Sequence, residues 1–266
     1  MNVRIFKGAR TISSLKDWET HAGPKRGMQW KAGRSAMELA RAWFPSEGTP
    51  TIPAELAALL ASRREFAGIQ LVEGCPEMQV PLDDLPGETR NADLVLLGQG
   101  GTGAVAISVE AKADEPFGDL IGQVLENAEA TAARGGRTNA AARVESLVEA
   151  VFGGRTDALP WAKELRYQLL HGIAAALIHA KAKRADTAVF VVHEFRGEGF
   201  DTRKGDRNSA DLEAFVGRLP GGEAPEAVET GKLVGPFRVP GGGKVPSGVP
   251  PRGIPLYVGK IVRQLP

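Results

Sequence analysis

Two stretches, ADLVLLG at 92–98 and GAVAISVEAK at 103–112, decide how this chain folds. Both are rich in aliphatic residues, and the second alternates. Val105, Ile107 and Val109 fall on one face, and Ala106, Ser108, Glu110 and Lys112 on the other. The six residues GQGGTG at 98–103 read as a hairpin turn. A phosphate-cradling loop would open a helix, whereas a β-rich run follows here. A symmetric turn centred near Gly100 and Gly101 sets Asp93 opposite Ser108, one pair from Glu110. Asp93 then projects on the face shared by Glu110 and Lys112.

Upstream, SAMELARAWF at 35–44 predicts a helix, with Ser35 as N-cap and Glu38 completing a capping box. Pro53 opens a second helix, PAELAALLASRREF. Short strands are expected at 69–74 (IQLVEG) and 78–82 (MQVPL). Downstream, helical composition covers 118–134, 139–152 and 160–183, and Leu165, Leu169, Ile173, Leu177 and Ala180 form an apolar stripe in the last. TAVFVVHEF at 187–195 is a buried strand, and a helix is expected near 209–218. From 220 to 255, 17 of 36 residues are Pro or Gly, so loop dominates until LYVGKIV offers a closing edge strand.

This order predicts an α/β fold with a mixed central sheet flanked by helices. A helical crossover links the 103–112 strand to the 187–195 strand. The expected divisions are an N-terminal extension at 1–34, a core domain at 35–219 and a Pro/Gly-rich tail at 220–266. With 42% hydrophobic and 24% charged residues, the composition excludes a disordered chain. No apolar run reaches the ~18 residues of a membrane span, and no secretory leader is legible, so a cytoplasmic protein without membrane contact is expected. A single cysteine excludes a disulfide framework and a cysteine-built zinc site.

The formal charge is +1, but residues 1–160 carry 17 basic against 21 acidic side chains and residues 161–266 carry 16 against 11. That balance excludes a protein that coats nucleic acid without selectivity, while allowing a basic surface on the C-terminal half. Two carboxylates and a lysine converging on one sheet face suit metal-dependent phosphodiester hydrolysis. Hard oxygens hold Mg²⁺, with Mn²⁺ as its substitute, and the ammonium orients water or meets developing charge. Without metal, carboxylates ~5 Å apart repel by roughly 3 kcal/mol at an effective dielectric near 20.

Asp93, sixteen residues and then Glu110-Ala111-Lys112, on two adjacent strands after a helix, resembles the PD-(D/E)xK nuclease superfamily of restriction and DNA-repair enzymes. The resemblance covers about 35–195 and implies a restriction-endonuclease-like α-β-β-β-α-β core. It implies a site in which Asp93 and Glu110 bind metal, the Ala111 carbonyl joins them, and Lys112 is catalytic. It also implies an acidic ligand on the first helix, for which Glu38 stands, and DNA as partner to an enzyme of bacterial type that often works as a homodimer. The family's proline before the first acid is Ala92 here. No Q-x-x-x-Y follows the lysine: Gln123 leads to Asn127 and Gln168 to Gly172. Those departures leave the subfamily open.

The competing reading makes Glu110 and Lys112 an exposed strand end with a cross-strand ion pair of little energetic weight. For Glu38, capping and metal roles are equally good. The histidines at 21, 171, 179 and 193 lack ligand spacing, and Cys75 lacks a basic neighbour in sequence. Arg166 on the long helix, and the loop carrying Arg203, Lys204 and Arg207, are the basic candidates for phosphate contact. The expected activity is therefore Mg²⁺-dependent deoxyribonuclease. The alternatives are a non-catalytic module of the same fold that binds nucleic acid or protein, or a phosphodiesterase acting on small nucleotides.

Overall fold

A computed structural model describes residues 3–24, 30–46, 48–86, 90–223, 227–242 and 250–266. The hairpin that decides the fold is present. β4 (Arg90–Gly100) and β5 (Gly103–Lys112) pair antiparallel through a two-residue turn at Gly101 and Thr102. The turn centre lies one residue later than the symmetric reading of 98–103 places it. Gly103 explains this. Its φ of +108° suits glycine, and an added Cβ would lie 2.1 Å from the Asp186 carboxylate, which accepts the Ala104 N–H. The pairing register therefore moves by two residues, which keeps every side chain on its expected face.

Around this hairpin an eight-stranded mixed sheet forms in the order β2-β1-β3-β4-β5-β6-β8-β7. Its other strands are β1 (Arg4–Lys7), β2 (Arg10–Ile12), β3 (Gln70–Val80), β6 (Thr187–Arg196), β7 (Leu233–Phe237) and β8 (Leu256–Gln264). β5, β6 and β8 run parallel, and their carboxyl ends lie together. The two strands expected at 69–74 and 78–82 are one strand, β3, interrupted by a bulge between Leu71 and Glu73. Pro76 is tolerated inside it because β1 pairs with β3 only at Glu73 and Gly74. Beyond that point one edge of β3 has no partner strand among the described residues, and the Lys7 ammonium donates to the Pro76 and Glu77 carbonyls.

Among the described residues, seven α-helices cover both faces. α1 (Leu15–Ala22), α2 (Ser35–Trp43) and α3 (Ala54–Ala61) share one core with Leu94, Ile107, Val191 and Ile261. On the other face lie α4 (Ile121–Ala133), α5 (Ala140–Phe152), α6 (Tyr167–Ala182) and α7 (Thr202–Val216). They share a second core with Ala106, Phe190, Val192 and Val258. The helix expected over 160–183 is broken. A 3-10 turn at Pro160–Glu164 precedes extended residues Leu165 and Arg166, and only then does α6 begin. The break serves pairing: Leu165 and Tyr167 exchange main-chain hydrogen bonds with Ile121 and Asp119. The helix expected near 209–218 begins earlier, at Thr202, where the Asp201 side chain caps it.

The sheet runs through all three expected segments. The first 34 residues supply β1, β2 and α1, and the stretch after 220 supplies β7 and β8. β8 is not the expected edge strand, since it lies between β6 and β7. Among the described residues no helix is long and apolar enough to cross a membrane.

On the α3 side, Glu55 meets His193 Nε2 at 2.9 Å and receives Arg263 at 2.7 and 3.0 Å. Burial pushes the Glu55 carboxyl up, but the hydrogen bonds from His193 and Arg263 outweigh it and hold it at about 2, below the ordinary 4.5. Burial holds His193 below its usual range, against the opposing pull of Glu55. A carboxyl depressed on folding contributes stability above its unfolded value and loses it as pH falls through the folded one. Glu55→Gln should therefore flatten the decline of Tm between pH 4.5 and about 2. Melts with an unchanged acid limb would assign that decline to other carboxylates.

Candidate active site

Glu110 and Lys112 follow five buried residues of β5, on its even-numbered face. The β4–β5 ladder ends at Leu94 and Val109; continued by one residue, it sets Asp93 across from Glu110 rather than Ser108. The next hydrogen-bonded rung would join Ala92 to Ala111. Instead the Ala111 N–H goes to the Asp93 carboxylate at 2.7 Å. Asp93 thus sits where β4 leaves β5, half-buried, with its carboxylate against the backbone of the residue between Glu110 and Lys112.

Glu110 and Lys112 are not an exposed strand end: they are 2% and 4% exposed. Lys112 Nζ lies 2.9 Å from Glu110 Oε1 and donates to Gln168 Oε1 at 3.0 Å, while Gln168 Nε2 donates to Glu110 Oε1 at 2.6 Å. The three side chains close a ring. Gln168 stands in the first turn of α6, so the break at Leu165 and Arg166 is what aims it at β5. The sequence carries this signal only weakly, because a continuous helix over 160–183 hides the helix start. Gln168→Leu should cost about 1–3 kcal/mol, the penalty for orphaning buried polar groups. A loss below about 1 kcal/mol in denaturant titrations would mean that water replaces the amide.

The same sheet face continues in register: Lys112 pairs with Glu194 on β6, and Val192 with Lys260 on β8. Glu194 and Lys260 are buried 3.2 Å apart, Arg196 bonds Glu194, and Lys260 donates to Ser209 of α7 at 2.5 Å. Charged groups of alternating sign therefore line the carboxyl ends of three parallel strands, where ligands of open α/β sheets bind.

The other sequence candidates separate. Glu38 is buried on α2, on the opposite side of the sheet, and its carboxylate accepts from the Gly33 N–H at 2.8 Å and from Arg41 at 2.9 Å. The expected capping box is absent, because Arg34 is the N-cap and the Ser35 hydroxyl turns to Glu115. Arg166 is engaged by Asp211 at 2.8 Å and by the Gly118 carbonyl at 2.7 Å. Arg203, Lys204 and Arg207 are exposed on the first two turns of α7, not on a loop. Burial pushes the Cys75 thiol up and holds His179 down at about 4, so both are neutral near pH 7.

Asp93, Glu110 and the Ala111 carbonyl are hard oxygen donors. They suit an ion such as Mg²⁺, which takes one or two carboxylates and keeps several waters. Among the described residues no three His, Cys, Asp or Glu side chains are grouped to hold a metal.

Fold and site together define an α/β protein with a buried acid–base cluster at the carboxyl ends of its parallel strands. The chain belongs to the family described as a domain of unknown function (DUF6946), whose model matches residues 11–265. No curated protein and no solved structure matches it.

Proposed function

We propose that this protein is a Mg²⁺-dependent nuclease of restriction-endonuclease-like fold that hydrolyses phosphodiester bonds in DNA. The observation that carries the reading is the opening of the β4–β5 ladder. There Asp93 takes the Ala111 N–H and faces the strand end bearing Glu110 and Lys112. With α4 and α5 as insertions between β5 and α6, the elements α3, β3, β4, β5, α6 and β6, with β5 and β6 parallel, are compatible with an α-β-β-β-α-β core.

In this reading Asp93 and Glu110 would hold the ion with the Ala111 carbonyl. A bound Mg²⁺ lowers the pKa of an attached water and offsets charge at phosphorus. Gln168 keeps the Glu110 carboxylate and the Lys112 ammonium in fixed rotamers. Lys112 orients the attacking water and stabilises the negative charge that develops on the phosphoryl oxygens.

Cleavage assays on DNA, RNA and small nucleotides with Mg²⁺ or Mn²⁺ test it. DNA should be cut by wild type, while Asp93→Asn and Lys112→Met should lose activity by orders of magnitude. Cleavage confined to nucleotides would make the chain a small-nucleotide phosphodiesterase. One observation favours a non-catalytic module of the same fold: Glu110, Lys112 and Gln168 satisfy one another in a sealed ring. That reading predicts DNA or protein binding without cleavage and without metal dependence.

A further inference from the structure

Glu110 and Lys112 are sealed by the loop that follows them. Phe117 is wholly buried, and the Lys112 ammonium lies 5.3 Å from its ring centroid. The two ends of this loop are fixed differently. At its far end, Asp119 and Leu120 pair through main chain with Arg166 and Tyr167. At its near end, side chains hold it. Asp114 accepts from Arg34 at 2.8 Å and lies 3.8 Å from the Lys204 ammonium, and Glu115 accepts from the Ser35 hydroxyl. The Glu115 carbonyl accepts from Asn208 at 3.0 Å. Gly118, at φ +67°, separates the two ends.

Half-exposed ion pairs of the kind at Asp114 hold weakly. Their cationic partners are also the residue types that contact nucleic-acid phosphates, and Arg203 and Arg207 stand exposed on the same helix as Lys204. The acidic latch thus occupies groups suited to phosphate, directly beside a site that substrate must enter.

We infer that residues 113–118 form a lid over Glu110 and Lys112, latched by Asp114 and Glu115 onto Arg34, Ser35 and Lys204, and that a phosphodiester backbone opens it by displacing the two carboxylates. The identity of the displacing anion rests on the nuclease reading; the lid itself does not. A nucleic-acid strand presents phosphates in series and gains from counterion release, so it outcompetes two isolated carboxylates at low salt. Once the latch is lost, the near end keeps only the Asn208 hydrogen bond to the Glu115 carbonyl; the loop then opens more readily, and the buried acid–base pair meets solvent.

Two readouts on the intact chain need neither metal nor cleavage: amide exchange over 113–118, and acylation of Lys112 by an amine-reactive reagent, located by mass spectrometry. In Asp114→Asn/Glu115→Gln both rates should rise about tenfold, the scale of a few exposed pairs. A duplex of about 20 base pairs should bind this variant more tightly than wild type, at low salt where phosphate contacts dominate. Arg34→Gln/Lys204→Gln should loosen the lid equally but bind the duplex more weakly. Glu126→Gln/Glu129→Gln removes as much negative charge from exposed positions on α4. It should leave the lid rates at wild-type values and change duplex affinity less. Unchanged exchange and acylation in a latch variant that melts like wild type overturn the lid, even if DNA is cleaved. A duplex affinity no higher than that of the α4 control overturns displacement by phosphate. A lid that loosens as expected in a protein that binds no duplex at all overturns the nuclease reading and the phosphate key with it.

Discussion

Removing residues 220–266 should abolish cooperative folding, because the deletion takes out an interior strand and not a tail. β8 pairs with β6 over nine residues on one side and carries β7 on the other. Leu256, Tyr257, Val258 and Ile261 are all buried, two in each core. At ~1.5–3 kcal/mol for each fully buried large apolar side chain, their loss is comparable to the whole ~5–15 kcal/mol of a typical domain's net stability. The deletion also strips Lys260 from Glu194 and Arg263 from Glu55. Far-ultraviolet dichroism and a thermal melt of residues 1–219 check this. A sharp transition near the wild-type Tm would mean that the sheet closes at β6.

Lys112→Met should be the most damaging single substitution at the site. It leaves the Glu110 carboxylate almost sealed from solvent without its ammonium, and breaking a buried pair by removing one partner costs about 3–5 kcal/mol. For a chain of this size, that lowers Tm by about 10 °C. The double variant Glu110→Gln/Lys112→Met should recover most of the loss, since no uncompensated charge remains. A metal site adds a second signature. Millimolar Mg²⁺ should raise the Tm of Lys112→Met, because the ion replaces the missing positive charge, and should leave the double variant unmoved. If Mg²⁺ moves neither melt, Glu110 belongs to a structural ion pair.

Much of this arrangement was legible in residues 92–112. Alternation fixes the face of each side chain, so Asp93, Glu110 and Lys112 were placed together even though the turn centre was off by one residue. Period-two geometry forgives a register error of two. What the sequence hid depends on distant partners. Pro/Gly content argued against structure after 220, yet β6 supplies β8 with its hydrogen bonds, and composition does not record such a partner. The sequence divides β3 in two because nothing local reveals that β1 pairs with it only at Glu73 and Gly74, which leaves room for Pro76. Ser35 and Glu38 have the spacing of a capping box, but the acids that follow β5 draw Ser35 and Arg34 away. The role of Gln168 beside Glu110 and Lys112 is hidden for a related reason. Its role comes from an interruption of α6 that is set by pairing with residues 119–121, which no helical periodicity contains.

The proposed activity stands or falls with Asp93 and Glu110 as metal ligands. Calorimetric titration of Mg²⁺ and of Mn²⁺ into wild type and Asp93→Asn, with melts to establish that both are folded, tests this most directly. Wild type should bind one or both ions with saturable heat. Asp93→Asn should bind at least about tenfold more weakly, having lost one of the few charged donors such an ion uses. Equal affinities in the two proteins, or no binding by wild type, would contradict the assignment.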